Sequence, residues 1–540
     1  MKIAIIIPPW LHPTSPPLGP ACLAAFLKRE AKNTTTKVFD LNLHHYYQAF
    51  EYLDQGKIRL TLYNWNSEET AKRIKEAFGF LKSQTFSSVS LKTWHSKATI
   101  FLSFENIFNG FIGEMAARSL LDLKLPKTIH EYLQGLVEPV LCFKPDICAV
   151  SLSFDAQVVF GLSIAKIIKQ RIGSFVCFGG ARFGTSPEPG RLFTKGVTIK
   201  AKGKTTSIKN VSYVDAIVPG EGELPLHNLL NALRSGKVDK VPGVIIKKTF
   251  NHSDAVPLKP FDMNELPCPD FSDIPLDQYM VPHPVLPIMT SRGCAWGRCT
   301  FCTHHKSYNR YRQMKIQKLI CHIKKLCNTY KIHHINIFDE MIPPARFRRL
   351  SQALLNNNID ITFSAYAKPT KAFDRELLGQ IRKAGCQLML WGIESGSQKI
   401  LDLMGKGTKV EEMEQVLINS SKSGIKNLIF VMFGFPGETK EDFRMTLDFL
   451  KRTKDHIHAI SKGLFVLVEG CQIQKNPDGF FIKRMKPISD NWGGATTFEF
   501  ETQKGLNPTE SAELYKQHLP FIEQIGLSPR LGVYREHLLF

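Results

Sequence analysis

The chain has 540 residues, 43% of them hydrophobic, which is enough to bury two or three substantial cores and excludes a single small module. Its formal charge of +21 is large, yet alone it does not choose among a nucleic acid, an anionic peptide or substrate, and a lysine-rich background. The twelve cysteines are scattered, and Cys22, Cys142, Cys148, Cys177 and Cys386 lie inside apolar stretches, so they read as buried thiols and not as a disulfide framework.

The opening apolar run is stopped by Pro8-Pro9 and is too short for a signal peptide or a membrane span, so a soluble cytoplasmic protein is expected. Residues 2–8 read as a buried parallel strand, followed by a helix over about 20–28 and a strand at 38–41. From about 44 to 140 the pattern is mostly helical and reads as an insertion. Short apolar strands return at 147–152, 175–178 and 216–218, with helical pattern at 158–170 and 224–234. This alternation predicts a doubly wound, Rossmann-like α/β domain over 1–255, with its ligand at the carboxyl ends of the strands. The lysines at 200, 202, 204 and 209 read as a solvated face. Residues 256–284, rich in Pro and Asp, read as a linker.

From Val285 the alternation starts again, with strands expected at 286–290, 334–338, 361–366, 387–393, 427–433 and 459–467. Six such units predict a partial (β/α)6 barrel over 285–470, where chemistry gathers at the carboxyl ends of the strands. An α/β extension is expected over 471–540.

The first barrel strand leads into Ser291-Arg-Gly-Cys294-Ala-Trp-Gly-Arg-Cys299-Thr-Phe-Cys302. Three thiolates can hold three irons of a cubane and leave the fourth open, whereas structural zinc takes four protein ligands. Zinc stays open as a reading through His304 or His305. The next stretch, 303–331, has eight Lys or Arg and no Asp or Glu. Apolar spacing from Ile316 to Leu326 makes it a surface helix with its basic residues outward. Cys321 and Cys327 share no helix face and are expected to be dispensable.

With its three cysteines and an aromatic, Phe301, before the last of them, the motif resembles that of the radical S-adenosylmethionine (SAM) superfamily. The usual spacing there is Cys-x3-Cys-x2-Cys, and this chain has one residue more between the first two. Three further elements are similar to the family's. Phe338-Asp339-Glu340 ends the second strand, where the family places acceptors for the ammonium group of SAM. Gly392-Ile-Glu394-Ser395-Gly396 ends the fourth, and its carboxylate is expected on the cofactor's polar groups. Gly434-Phe-Pro-Gly437-Glu438 ends the fifth, where glycines let backbone approach the adenine. The resemblance implies a [4Fe-4S] cluster on Cys294, Cys299 and Cys302. It also implies reductive cleavage of SAM to methionine and a 5′-deoxyadenosyl radical, with an electron donor such as flavodoxin or ferredoxin. The sequence points to no catalytic acid, base or hydrogen donor.

Residues 1–250 resemble the cobalamin-binding domain that precedes the barrel in one branch of that superfamily. The pieces are Pro16-Pro-Leu-Gly19, Ser151-Leu-Ser153-Phe154, Phe178-Gly179-Gly180-Ala-Arg182, and Gly220-Glu221-Gly222-Glu223, whose small residues and helix opening would lie against a corrin or its tail. The motif Asp-x-His-x-x-Gly is absent, and Asp40 and His44 stand at the wrong spacing, so cobalamin is expected without a histidine ligand from the protein. The resemblance implies cobalamin-dependent methylation of an unactivated carbon in a peptide or secondary-metabolite substrate. Two other readings are a radical rearrangement, cyclisation or oxidation without methylation, and a basic RNA-binding or RNA-modifying protein. Against the last stand the lack of an RNA-binding appendage and the balance of eight basic and eight acidic residues over 471–540. Neither a nucleic-acid nor a membrane partner is expected.

Overall fold

A computed structural model describes the chain apart from residues 86–87, 187, 202–203, 209–210, 250–257, 304–307, 309, 489–495 and 528–534. Lys202, Lys209, His304 and His305 therefore lie outside the described residues. Two compact units divide the chain, Met1–Pro284 and, from Val285 to Phe540, the rest apart from 490–494.

In the first unit β1 (Lys2–Ile7) is buried from Ile3 onward, as a strand covered on both faces must be. It is followed by α1 (Leu18–Glu30), β2 (Thr35–Asp40) and four helices, α2 (Leu41–Asp54), α3 (Ser67–Ser83), α4 (Leu91–Leu120) and α5 (Lys127–Phe143). Next come β3 (Ile147–Ser151), α6 (Ala156–Arg171), β4 (Phe175–Gly179), the single turns α7 (Ala181–Gly184) and α8 (Arg191–Thr194), and the hairpin β5 (Val197–Ala201) with β6 (Lys204–Ile208). The unit ends on β7 (Ala216–Val218), α9 (Glu223–Ser235), β8 (Ile245–Ile246) and the segment from 258 to 284. The sheet order is β2-β1-β3-β4-β7-β8, with β8 alone antiparallel to its neighbour. Strand order reverses between β1 and β3, which opens the crevice where doubly wound folds bind ligands.

The helices α2–α5 have an aromatic core, in which Phe50, Phe78, Phe101, Phe104 and Phe108 meet edge to face or tilted. Within it Tyr132 Oη and Asn109 Oδ1 flank the two ring nitrogens of His45 at 2.8 and 2.7 Å, and burial pushes that imidazole down to about 4, so it is neutral. Residues 258–284, part of the segment read from sequence as a linker wrapped over the surface, lie against this unit. Lys28 pairs with Asp270 and Asp273, the Tyr279 hydroxyl donates to Asp40, and Phe271, Tyr279 and Met280 are buried.

The second unit is built on six parallel strands, β9 (Val285–Ile288), β12 (His334–Ile337), β13 (Thr362–Ala367), β14 (Cys386–Glu394), β15 (Lys426–Phe433) and β16 (Ala459–Leu464), each paired with its predecessor in this order. Between β9 and β12 a short antiparallel pair, β10 (Ser291–Arg292) and β11 (Arg312–Gln313), precedes α10 (Ile316–Tyr330). The later connections carry α11 (Pro344–Asn356), α12 (Arg375–Lys383), α13 (Gln398–Leu403), α14 (Val410–Lys422) and α15 (Lys440–Thr453). The sixth strand is shorter than the expected 459–467. It stops at Leu464, where Phe465 turns into an apolar cluster with Phe435, and β17 (Leu467–Val468) joins another sheet. That sheet is antiparallel and contains β18 (Ile482–Ile488) and β19 (Thr497–Thr502), with α16 (Gln472–Lys475) and α17 (Pro508–Glu523) beside them.

Residues 535–540 line the side of the barrel sheet that faces away from its helices. Asn427 of β15 accepts from Ser420 of α14, so its neighbour Lys426 points the other way, and there Lys426 Nζ donates to Leu538 O at 2.8 Å. On the same side Asn336 donates to Glu536, and Arg535 lies over Phe338 while donating to the Tyr366 hydroxyl at 2.7 Å.

Candidate active site

The cysteine loop is rooted before it begins. Asp339, at the end of β12, accepts from Thr290 N at 2.6 Å and from the Thr290 and Ser291 hydroxyls at 2.5 Å each. Arg346 of α11 donates to Thr290 O, Thr290 Oγ1, Gln313 Oε1 and Met314 O at 2.7–3.0 Å. The pairing of Ser291 with Gln313 then closes the neck of the loop. Gly293 must be glycine, since its φ is +81° and a Cβ there would sit 3.0 Å from Arg310 O.

The loop docks on the turn after α13. Thr300 N donates to Met404 O at 2.9 Å, Thr300 Oγ1 to Leu403 O at 3.1 Å, and the Trp296 indole to Gly405 O at 2.9 Å. Phe301 packs on the cluster of Ile400, Met404, Phe435 and Phe480. Lys368 Nζ lies 3.1 Å from the centre of the Trp296 ring. The extra residue between the first two cysteines thus belongs to a segment whose tryptophan fastens the loop. A Cβ on Gly407, whose φ is +63°, would meet that indole at 2.4 Å. Gly407→Ala is therefore expected to displace Trp296 and to lower iron retained after reconstitution and desalting, with little change in secondary structure by circular dichroism.

Cys294, Cys299 and Cys302 are half-buried. Among the described residues no three His, Cys, Asp or Glu side chains converge as ligands of a single ion do. The thiolates of a cubane each bind a different iron and so stand further apart. Burial pushes the Cys299 thiol up, and two lysines oppose it, Lys406 more than Lys368. Lys406 Nζ lies 2.7 Å from Glu394 Oε1, with both side chains nearly buried. Burial works against its charge, but Glu394, Cys299 and Cys302 hold the ammonium above its ordinary range. Burial pulls Lys368 down to about 8 despite Cys299 and Cys294. A three-cysteine loop, two lysines and one glutamate therefore share one region of the barrel mouth. Such a donor set fits an iron-sulfur cluster whose negative charge needs nearby cations.

Glu394 has φ +66°, beside an irregularity in the pairing of β14 with β15, and Gly392 makes room for its ion pair, since a Cβ there would lie 2.5 Å from Lys406 Nζ. Other residues of these strand ends are engaged elsewhere. Asp339 braces the loop root, Ser395 shares a hydrogen bond with Thr446 of α15, and Glu340 is exposed at the end of β12. Gly434, with φ +75°, donates to Glu438 Oε2 at 2.6 Å, and Gly437, with φ +86°, leaves room for Phe481.

Burial drives the fully buried Glu438 up to about 8, against the pull of the Gly434 N–H. The folded state then holds a proton that the unfolded chain releases above about 4.5, so stability falls as pH rises from there to about 8. Glu438→Gln is expected to flatten denaturant midpoints measured across that window.

In the first unit, the strand-end residues singled out from sequence surround the carboxyl edge of the sheet. Ser151 ends β3, and Ser153 N donates to Gln157 Oε1 at 2.8 Å. Gly179 and Gly180 let β4 and its turn pass close to Val218 and Leu152, where a Cβ on Gly180 would come within 2.4 Å of Leu152 O. Gly220 has φ +74°, while Glu221 and the buried Glu223 stand where α9 opens. Phe154, at the end of the β3 turn, exposes its ring. An exposed ring beside small strand-end residues fits a broad planar group. Sequence reasoning missed the loop after β1, where Glu105 of α4, itself buried, holds His12 Nδ1 at 3.1 Å and accepts from the Tyr46 hydroxyl at 2.7 Å. Asp40 is occupied in capping α2, through Leu43 N, and by Tyr279, and His44 turns toward Gly135 of α5.

Residues 288–450 match the family model of the radical SAM superfamily, so the second unit contains a radical SAM domain. In fold the chain is similar to solved structures of cobalamin-dependent radical SAM enzymes. The chain superposes on the cobalamin-dependent S-adenosylmethionine radical enzyme OxsB with aqua-cobalamin bound at a TM-score of 0.62, with 16% identity, covering 97% of this chain and 67% of that one. For the radical S-adenosylmethionine methyltransferase TsrM of Kitasatospora setae, with cobalamin and [4Fe-4S] cluster bound, the TM-score is 0.56 at 15% identity, over 95% of this chain and 85% of that one. By sequence it is 28% identical over 323 residues to an uncharacterised methyltransferase of Pyrococcus horikoshii, covering 57% of this chain and 65% of that protein. The chain thus spans just under two thirds of that relative. No helix among the described residues is long and apolar enough to cross a membrane.

Proposed function

We propose that the protein is a cobalamin-dependent radical SAM methyltransferase, acting on an unactivated carbon of a peptide or small secondary metabolite. The observation that carries this reading is the convergence of the Cys294, Cys299 and Cys302 loop with Lys406, Lys368 and Glu394 at the carboxyl ends of a radical SAM barrel. The three thiolates would hold a [4Fe-4S] cluster, and Glu394 would take the ammonium of SAM while Lys406, 2.7 Å from that carboxylate, holds it in place. When bound, the cluster supplies one electron for cleavage of SAM and cobalamin supplies the methyl group. The chain's own part is to fasten the loop through Trp296, Thr300, Asp339 and Arg346, so that the thiolates are fixed before cofactors enter. Arg535 covers Phe338 and donates to the Tyr366 hydroxyl on the sheet side away from the helices.

Cobalamin is assigned to the strand ends of the first unit, around Ser151, Ser153, Gly179, Gly180 and Gly220, without a histidine ligand from the protein. The commitment of Asp40 to Leu43 and Tyr279, and of His44 to α5, supports this. Protein loaded with hydroxocobalamin and desalted is expected to keep a corrin spectrum. Paramagnetic resonance of its Co(II) form should then lack nitrogen splitting that disappears on His44→Ala. Loss of all corrin on desalting would count against the assignment.

A further inference from the structure

On the sheet side away from the helices, the Arg535 guanidinium lies 4.2 Å from the centre of the Phe338 ring, and its Nη1 donates to the Tyr366 hydroxyl at 2.7 Å. Nε and Nη2 both donate to Glu536 Oε1, at 3.2 and 2.9 Å. The same oxygen accepts from Asn336 Nδ2 at 2.9 Å, so Glu536 is fastened to β12 and holds the guanidinium by one edge. A guanidinium carries five N–H groups, and these contacts use three of them. One N–H on each terminal nitrogen meets no acceptor among the described residues. The Arg535 side chain keeps 17% of its surface exposed, which leaves room for an acceptor to reach it. Beside it the Tyr366 ring lies 6.0 Å from that of Phe430 and within 11° of parallel. Lys368 follows Tyr366 by two residues toward the carboxyl end of its strand, a rise of about 7 Å. That lysine packs on Trp296 and feels Cys299 and Cys294, so the guanidinium stands about one pleat below the cysteine loop.

We propose that Arg535 anchors a two-oxygen anionic head, a carboxylate or a phosphate, on a substrate whose apolar or aromatic body lies along Phe338, Tyr366 and Phe430. The inference rests on the radical SAM reading and adds the chemical class on which that site acts. The donor pattern selects the head group, because two N–H groups on neighbouring nitrogens of a rigid plane match two oxygens of one anion. A neutral amide fits worse, since its carbonyl satisfies one prong while its NH2 sets donors against the other. Glu536 does not satisfy this demand, as its bonds to Arg535 take the opposite edge of the guanidinium. The rings supply the apolar walls that a body carrying such a head needs.

The test uses the full, cluster-loaded chain with saturating SAM and no reductant, and three probes of one shape: benzoate, phenyl phosphate and the uncharged benzamide. Titrations followed by saturation-transfer magnetic resonance are expected to show at least one acid binding roughly tenfold or more tightly than the amide. The tighter of the two acids tells carboxylate from phosphate. Arg535→Gln should erase the preference for acid over amide, and Lys451→Gln on α15 should leave it intact. Arg535→Lys keeps the charge and loses the fork, so it should weaken acid binding and leave the amide unchanged. If Arg535→Gln fails to fold, this second variant carries the comparison. Equal binding of acids and amide by the wild type, no saturable binding of either acid, or a preference that survives Arg535→Gln would overturn the proposal. So would displacement of the acids by added SAM, which would give the guanidinium to the cofactor. If the same protein, once reduced, forms no 5′-deoxyadenosine, the radical SAM reading is what fails, and the comparison of acid with amide still decides the role of Arg535.

Discussion

Replacing Cys294, Cys299 and Cys302 together with alanine is expected to take the anaerobically reconstituted protein from about four irons per chain to background, with loss of its visible sulfur-to-iron absorbance. The fold should survive, because the loop is rooted by groups other than the thiols: Asp339 and Arg346 at its neck, and Trp296 and Thr300 against the turn after α13. Circular dichroism and iron analysis on the same sample separate the two outcomes. Cys321→Ser and Cys327→Ser, both on α10, should leave iron unchanged. Iron retained by the triple variant would remove the cluster from this loop.

Lys406→Ala is expected to produce the largest loss of stability among single substitutions at the barrel mouth. The side chains of Lys406 and Glu394 are 10% and 13% exposed and 2.7 Å apart, so removing the ammonium leaves a carboxylate buried without its partner. Breaking such a pair costs about 3–5 kcal/mol, or roughly 10 °C in the midpoint of a unit this size. Replacing both partners, by Lys406→Met with Glu394→Gln, should recover most of that loss, since the stranded charge is gone. Thermal unfolding of the three proteins checks this, and a single variant as stable as wild type would show that the pair is solvated.

Much of the architecture could be read because buried parallel strands are continuous apolar runs. Lys2–Ile7, Ala216–Val218 and Cys386–Glu394 each announce themselves by composition, and Pro or Gly marks their ends. The cysteine spacing was equally plain. What escaped were partners set by long-range packing. Arg346 and Lys406 look like ordinary surface residues of a helix and a turn, yet folding places one under Thr290 and the other against Glu394, more than fifty and twelve residues away in sequence respectively. Only the glycines flanking Lys406, at 405 and 407, hinted that its turn meets something closely. Asp339 and Ser395 were legible as strand-end polar residues, but sequence could not say that their oxygens serve Thr290, Ser291 and Thr446. The close packing of 258–284 went unread for a related reason. Its prolines signal irregular backbone, and irregular backbone packs as firmly as a helix once Phe271, Tyr279 and Met280 are buried. The placement of residues 535–540 against the barrel sheet had no local signal, because Asn336, Ser364 and Lys426 reveal their orientation only through the register of three strands.

The measurement that bears most directly on the central claim is the yield of 5′-deoxyadenosine from SAM when the cluster-loaded protein is reduced with dithionite in the absence of oxygen. The structure predicts formation of 5′-deoxyadenosine together with methionine in equal amounts, both lost in the triple cysteine variant and strongly reduced in Glu394→Ala. A protein that carries its full iron complement, accepts an electron and still forms no 5′-deoxyadenosine would contradict the assignment.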